Sequence, residues 1–154
     1  PQGSMWAAHH DLAGHVIGWE ERGPHWRGFA TNGSKQLFRL GPIGALRICV
    51  TEAAIDALSL AAVERLRPDT LYAAVAGGMG PLTLLCLDQE LRAFAGRSGA
   101  VLTAATDADA AGERLAARLA GLAAEAGVSC ERLRPWNGRK DWNDLVRART
   151  AGGR

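Results

Sequence analysis

A chain of 154 residues is long enough for one compact domain with its own core. Hydrophobic residues make up 47% and charged residues 22%, and no apolar run nears the roughly 20 residues that cross a bilayer, so a membrane-spanning role is not expected. The 18 basic and 16 acidic side chains leave a net charge of +2, so any contact with nucleic acid must rest on where charges are placed rather than on their sum.

The first four residues, Pro1 to Ser4 ahead of Met5, read as a tag remnant, and the abrupt AGGR ending reads as the end of an excised fragment. Between residues 15 and 40, short apolar stretches (HVIGW, HWRGFA, QLFRL) alternate with the turn formers Gly23-Pro24 and Asn32-Gly33-Ser34, which predicts a small antiparallel β-meander. From there the pattern becomes strand-helix alternation. A strand at 46–51 (LRICVT) leads into a helix over 52–66 with Ile55, Leu58, Ala62 and Leu66 as its apolar stripe, ended by Pro68. A second strand at 71–76 is followed by the Gly77-Gly78-Met79-Gly80 turn and a helix at 82–94 that Pro81 opens. A third strand at 100–106 precedes a long helix at 110–126 closed by Gly127. A fourth strand at 128–133 and a short helix at 141–149 complete the order.

Strands separated by helices imply right-handed crossovers and an α/β fold with a mainly parallel sheet flanked by helices. Sites in such sheets lie at the carboxyl ends of strands, which singles out Glu52 and Asp107. Asp56, four residues after Glu52, is expected on the same helix face, and Asp109 flanks Ala108 beside Asp107. If the first and third strands are neighbours, these acids converge, and a hard divalent cation wants such oxygen ligands. Taken singly, Glu52 also reads as an acid favoured near a helix N-terminus and Asp109 as a helix N-cap. The glycine-rich turn reads as a tight turn that is neither GxGxxG nor a Walker loop. Arg134, Arg139 and Lys140 with Trp136 and Trp142 form a basic-aromatic cluster, while Lys35 and Arg39 follow the Asn32-Gly33 turn. Solvated surface and nucleic-acid contact are both open readings for these two groups. His9, His10, His15 and His25 read as structural or solvent-exposed. Cys49, Cys86 and Cys130 are odd in number and form no CxxC pair, which fits reduced thiols in a cytoplasmic protein.

The segments VTEAAIDALSL, TDADAAGERLAARL and RKDWNDLV, in that order, resemble the Toprim domain shared by bacterial primases, topoisomerases and some nucleases. The stretch GHVIGWEERGPHWRGFATNGSKQLFRL is similar to the segment before Toprim in primase-like proteins of plasmids and other mobile elements. The resemblance implies a Toprim Rossmann-like fold organised as a tag remnant and lead-in at 1–14, a small β-meander packed on the domain at 15–42 and a catalytic Toprim domain at 43–154. It makes Glu52 the essential catalytic acid or base, Asp107 and Asp109 catalytic metal ligands, Asp56 a supporting acid, and Asp141 a residue near a second metal. Ala53 replaces the glycine usual after the Glu, and Asn143 stands where an acid is common, which weakens a second metal site.

The implied cofactor is Mg2+, with Mn2+ able to substitute, and the implied partners are single-stranded DNA or RNA, nucleoside triphosphates and the flanking domains of a larger parent. Arg139, Lys140 and Lys35 are the candidate nucleic-acid contacts. The leading function is DNA primase-like nucleotidyl transfer. A Toprim nuclease and a non-catalytic docking module are the alternatives. A phosphatase using Asp107 as nucleophile lacks the Thr or Val expected after the second Asp. Strand passage would need a nucleophilic tyrosine, and the only tyrosine, Tyr72, falls in an expected buried strand.

Overall fold

The computed structural model describes residues 3–11 and 13–152. Its strands are β1 (Met5–His10), β2 (Val16–Arg22), β3 (Arg27–Phe29), β4 (Leu37–Leu40), β5 (Arg47–Thr51), β6 (Thr70–Ala74), β7 (Val101–Ala104) and β8 (Ser129–Arg132). The helices are α1 (Ala54–Val63), α2 (Pro81–Phe94), α3 (Ala110–Glu125) and α4 (Trp142–Gly152). All strands belong to one 8-stranded sheet in the order β3-β2-β1-β4-β6-β5-β7-β8. The parallel half is built as expected: β5 lies between β6 and β7, parallel to both, and β8 follows β7.

Two expectations change at the N-terminal side. The meander is not packed on the parallel sheet but continues it edge to edge, because β4 pairs antiparallel with β6 through Phe38 and Ala74. Residues 5–10, expected as a lead-in, form β1, which pairs with β2 on one side and β4 on the other. The period-2 signal of β1 is inverted: Ala7 and His9 are buried, whereas Trp6 is 70% exposed. A strand whose small and polar residues face inward does not read as amphipathic. His9 sits edge-on to Phe29, with ring centroids 5.0 Å apart, and burial holds its ring down to about 4, well below the ordinary imidazole value.

Helix α1 also differs. It buries Ala54, Ala57, Leu60 and Ala61 rather than the expected Ile55, Leu58, Ala62 and Leu66. Alanines on the contact face let α1 approach the sheet and α4 closely, so the larger side chains at Ile55 and Leu58 fall at the margin. The helix stops at Val63, before Pro68 is reached, and Arg65 and Leu66 take left-handed φ values of 60° and 50°. Neither is glycine, so this reversal carries local strain.

The core fills both faces of the sheet. Leu37, Val50, Leu87, Leu91, Leu102 and Leu119 pack between the sheet and α2 and α3. Cys49, Ala57, Leu60, Tyr72, Trp142 and Leu145 pack on the α1 and α4 side. Tyr72 is fully buried, and its hydroxyl donates to Glu64 at 2.7 Å, which leaves it unsuited to attack a substrate. Among the described residues no helix is long and apolar enough to cross a membrane.

Candidate active site

The adjacency of β5 and β7 brings their carboxyl ends together, Val50 pairing with Ala104. Glu52 follows β5 in the short connection to α1, whose N-cap is Ala53; it is therefore at the strand tip rather than within the helix as expected. Asp107 follows β7 across Ala105 and Thr106. The turn into α3 is tight: Gly112 lies against the Asp107 carbonyl, a Cβ there would overlap it, and the Thr106 hydroxyl donates to the Gly112 carbonyl at 2.7 Å.

Two oxygens at this edge, Glu52 Oε1 and Asp107 Oδ1, are buried and have no hydrogen-bond partner. Burial raises the Glu52 carboxyl above the usual range, Asp109 adds to it, and the Asp107 backbone N–H, Lys140 and Arg132 oppose it. Asp107 is pushed up to about 7 by burial and then by the charges of Glu52, Asp56, Asp141 and Asp109. Asp107 therefore sits in the combined field of the four other acids at this edge. Asp56 is raised to about 6, chiefly by burial, although its Oδ1 accepts the Asn143 N–H at 3.1 Å.

The remaining acids have local duties. Asp109 is the N-cap of α3: its Oδ1 accepts the N–H groups of Ala111 and Gly112, each at 2.9 Å, and its Oδ2 pairs with Lys140 Nζ at 3.1 Å. The Gly112 N–H first, then Lys140, and last the Ala111 N–H hold its carboxyl below the usual range. Asp141 Oδ1 accepts the Asp144 N–H at 2.7 Å in the first turn of α4. Among the described residues no group of three or more His, Cys, Asp and Glu side chains is arranged to hold a metal. The donor set available without rearrangement is thus Glu52 and Asp107, two hard oxygens left over after internal bonding, and magnesium commonly takes one or two carboxylates with water and phosphate completing its shell.

Sequence reasoning missed the residues that fix this edge. Arg132 at the end of β8 donates to the carbonyls of Ala104, Thr106 and Asp107 at 2.9, 3.0 and 2.8 Å and to Glu113 Oε1 at 2.9 Å, clamping the strand that carries Asp107. Glu20 from β2 accepts the Ala54 N–H at 3.1 Å, capping α1 from another part of the chain. The signal for Arg132 was its place at a strand's carboxyl end; Glu20 left none. Beside Glu20, the strands β2 and β3 and the loop ends at Ala53 and Gly77 enclose a cleft of about 290 Å³ lined by Arg22, Arg27 and Lys35. Lys35 lies 5.4 Å from the Phe29 ring centroid. A second cleft of about 490 Å³ runs from Arg22 and Arg27 to Asp141 and Arg147.

The expected basic-aromatic cluster is divided. Trp142 is fully buried and donates to the Ala105 carbonyl at 2.7 Å, so it cannot stack on a ligand, while Trp136 is partly exposed above it. Arg134 is held by Glu113 and Arg39 by Glu90, whereas Arg139 is exposed.

A family model described as Toprim-like matches residues 49–146, and a model for a protein of unknown function (DUF3991) matches residues 1–45. No curated protein matches the chain. Among solved structures, the primase fragment of the bacteriophage T7 primase-helicase is 19% identical with a TM-score of 0.56, covering 97% of this chain and 59% of that one. The Aquifex aeolicus primase (zinc-binding and RNA polymerase domains) is 17% identical with a TM-score of 0.63, covering 93% of this chain and 36% of that one. A T7 lagging-strand DNA polymerase structure includes primase domains of two gp4 subunits bound to an RNA/DNA hybrid and dTTP; that match is 20% identical with a TM-score of 0.55, covering 97% and 71% of the two chains. The chain thus spans 59% and 36% of the first two relatives, and at these identities the likeness is one of fold. With the Toprim-like model spanning residues 49–146 and the fold shared with primase fragments, the chain belongs to the Toprim-like family.

Proposed function

We propose that this chain is the magnesium-dependent catalytic domain of a primase-like nucleotidyltransferase acting on nucleic acid. The observation that carries the reading is the pair of buried, unpartnered oxygens on Glu52 and Asp107 at the tips of adjacent parallel strands. Native structures rarely leave such groups unsatisfied without a reason, and one cation between the two would satisfy both. The structural relatives are primase fragments, one bound to an RNA/DNA hybrid and dTTP, which favours transfer over hydrolysis.

Glu52 and Asp107 would hold Mg2+, with Mn2+ able to substitute. The bound metal supplies neutralisation of phosphate charge and alignment of attacking and leaving oxygens. Glu52, its carboxyl already raised by burial, takes the proton of the attacking hydroxyl. Asp109 remains the α3 cap through Oδ1, and its Oδ2, paired with Lys140, would be a further oxygen ligand for the metal. Asp56 and Asp141 set the field around Asp107, and Arg139, Lys140 and Lys35 contact the nucleic-acid backbone. Residues 43–154 then form the catalytic unit, and flanking domains of a larger cytoplasmic parent supply the remaining grip on the template. The test is magnesium-dependent incorporation of nucleoside triphosphates, or cleavage, on single-stranded DNA by the parent and by Glu52→Gln. Incorporation lost in the variant supports the reading, cleavage alone makes the domain a nuclease, and no turnover in the parent makes it a docking module.

A further inference from the structure

The connection from β8 to α4 runs past the acids, and it carries an exposed tryptophan, Trp136, at 40%. Three fixings hold it there. The Lys140 carbonyl accepts the N–H of Ala108, between Asp107 and Asp109, at 2.7 Å, and the Lys140 ammonium pairs with Asp109 at 3.1 Å. On the entry side Pro135 is buried, with φ set by its ring. Trp136 itself packs edge-to-face with Trp142, ring centroids 5.2 Å apart, and Trp142 donates to the Ala105 carbonyl at 2.7 Å, just ahead of Asp107. The exposed indole is thereby tied to the strand end that carries the acids.

Between those fixings the chain reverses once. Asn137 and Gly138 both take left-handed φ values, 58° and 66°, and the Arg139 N–H donates to the Trp136 carbonyl at 3.3 Å, which makes a two-residue turn of the type I′ class. Residues that flank such a turn are cross-strand partners with side chains on one face, so Trp136 and Arg139 stand side by side. Arg139 is exposed, and it is in no ion pair among the described residues. Contact with Trp142 accounts for one side of the Trp136 ring; the rest is left to solvent beside that guanidinium. A planar ring joined to phosphate fits the pair, the base stacking on the indole and a phosphate meeting the guanidinium. A turn already held at both ends keeps the ordering cost of that contact low.

We infer that Trp136 is a base-stacking residue of this site, taking the base of a nucleotide whose phosphates meet Arg139 and the Glu52–Asp107 edge. This deepens the proposed function and rests on it for the phosphate-binding edge, but it needs no turnover. The full chain is titrated by calorimetry in magnesium with ATP and with inorganic tripolyphosphate, which has phosphates but no base, and in parallel with an oligothymidylate. Trp136→Leu keeps an apolar contact for Trp142 but offers no ring; it should weaken ATP about tenfold and leave tripolyphosphate unchanged. Trp136→Phe should retain most of the ATP affinity, and Arg139→Ala should weaken both ligands. Near-ultraviolet circular dichroism and melting temperature verify that each variant is folded. Dependence on the indole for ATP assigns the base to a free nucleotide, and dependence confined to the oligothymidylate assigns it to a strand; both support the stack. Equal losses for ATP and tripolyphosphate in Trp136→Leu would make the indole a prop for Trp142 and the Asp107 turn, which overturns the stack, as does a folded Trp136→Leu chain that binds ATP and the oligothymidylate like the parent. A parent that binds none of the three ligands sinks the stack and the proposed function together. Indole-dependent binding with no magnesium-dependent turnover leaves the stack standing while sinking the catalytic reading, so the two failures are distinguishable.

Discussion

The two ends of the parallel sheet are both rich in polar groups, yet they are finished differently. Where β5, β6 and β7 begin, Arg47 donates to Glu64 at 2.7 and 3.0 Å and to Thr103 at 3.1 Å, Tyr72 donates to Glu64 at 2.7 Å, and Thr103 donates to Glu131 at 2.6 Å. Donors there meet acceptors, and charge meets opposite charge. Where β5 and β7 end, carboxylates face carboxylates, and Glu52 Oε1 and Asp107 Oδ1 have no donor at all. Burial alone does not separate these two ends; the surplus of one kind of group does.

The largest effect expected from this contrast is on turnover. Glu52→Gln should lower magnesium-dependent incorporation about a thousandfold, in the range for losing a positioned acid or base, while leaving the melting temperature in chelator unchanged or higher. At the opposite end Glu64→Ala strands the Arg47 guanidinium in a buried position and should cost about 3 kcal/mol of stability. Its turnover, measured well below its melting temperature, should stay near that of the parent. If Glu52→Gln unfolds the protein, or Glu64→Ala abolishes chemistry in a folded chain, the contrast is broken.

A smaller effect sharpens it. Magnesium binding the folded state should stabilise the parent by about 2.7 kcal/mol at a hundredfold excess over its dissociation constant. Asp107→Asn should lose most of that gain, yet in chelator it should melt higher than the parent, because it removes a charge whose form is disfavoured by burial and by Glu52. Scanning calorimetry with magnesium and with chelator reads both. Asp109→Asn tests the neighbouring acid: asparagine caps a helix nearly as well, so α3 should survive, and the loss should be confined to the Lys140 pair and the magnesium response. A full magnesium response in that variant would leave Asp109 a helix cap alone.

Much of this edge was legible because strand ends and helix starts are written locally. The run LRICVT followed by Glu52, and AVLTAAT followed by Asp107, place both acids at carboxyl tips without knowledge of the tertiary fold. The cap at Asp109 was legible as one of two readings. What was hidden is non-local: the Glu20 carboxylate on the α1 N-terminus joins residues 34 apart, and the Arg132 clamp reaches back to strand β7. The inverted β1, with tryptophan outward and alanine and histidine inward, gives no amphipathic signal. The α1 stripe misled because alanine, the least hydrophobic candidate, is favoured where helix and sheet come closest.

The smallest expected effect is on pH dependence, where His9 and Asp107 pull in opposite directions. Burial holds the His9 ring near 4 against an ordinary 6.5, so between these values the unfolded chain binds the proton more tightly, and stability is lost as pH falls through that window. Asp107, raised from 3.8 to about 7 by burial and then by Glu52, does the reverse: the folded state keeps its proton longer, and metal-free stability is lost as pH rises from about 4 to about 7. Asp56, raised to about 6, adds to the Asp107 trend. His9 offsets only one of the two carboxyls, which predicts that the parent in chelator still loses stability as pH rises from about 4 to 6.5. Removing one group changes the balance. Asp107→Asn should flatten the profile, because His9 and Asp56 then oppose one another, and His9→Leu should steepen it toward greater stability at the lower end. Melting temperatures across the window for the three proteins decide the matter: an Asp107→Asn profile that falls as steeply as the parent's would mean that Asp107 is solvated in the folded chain, and the surplus of charge that distinguishes this end of the sheet would then lie elsewhere.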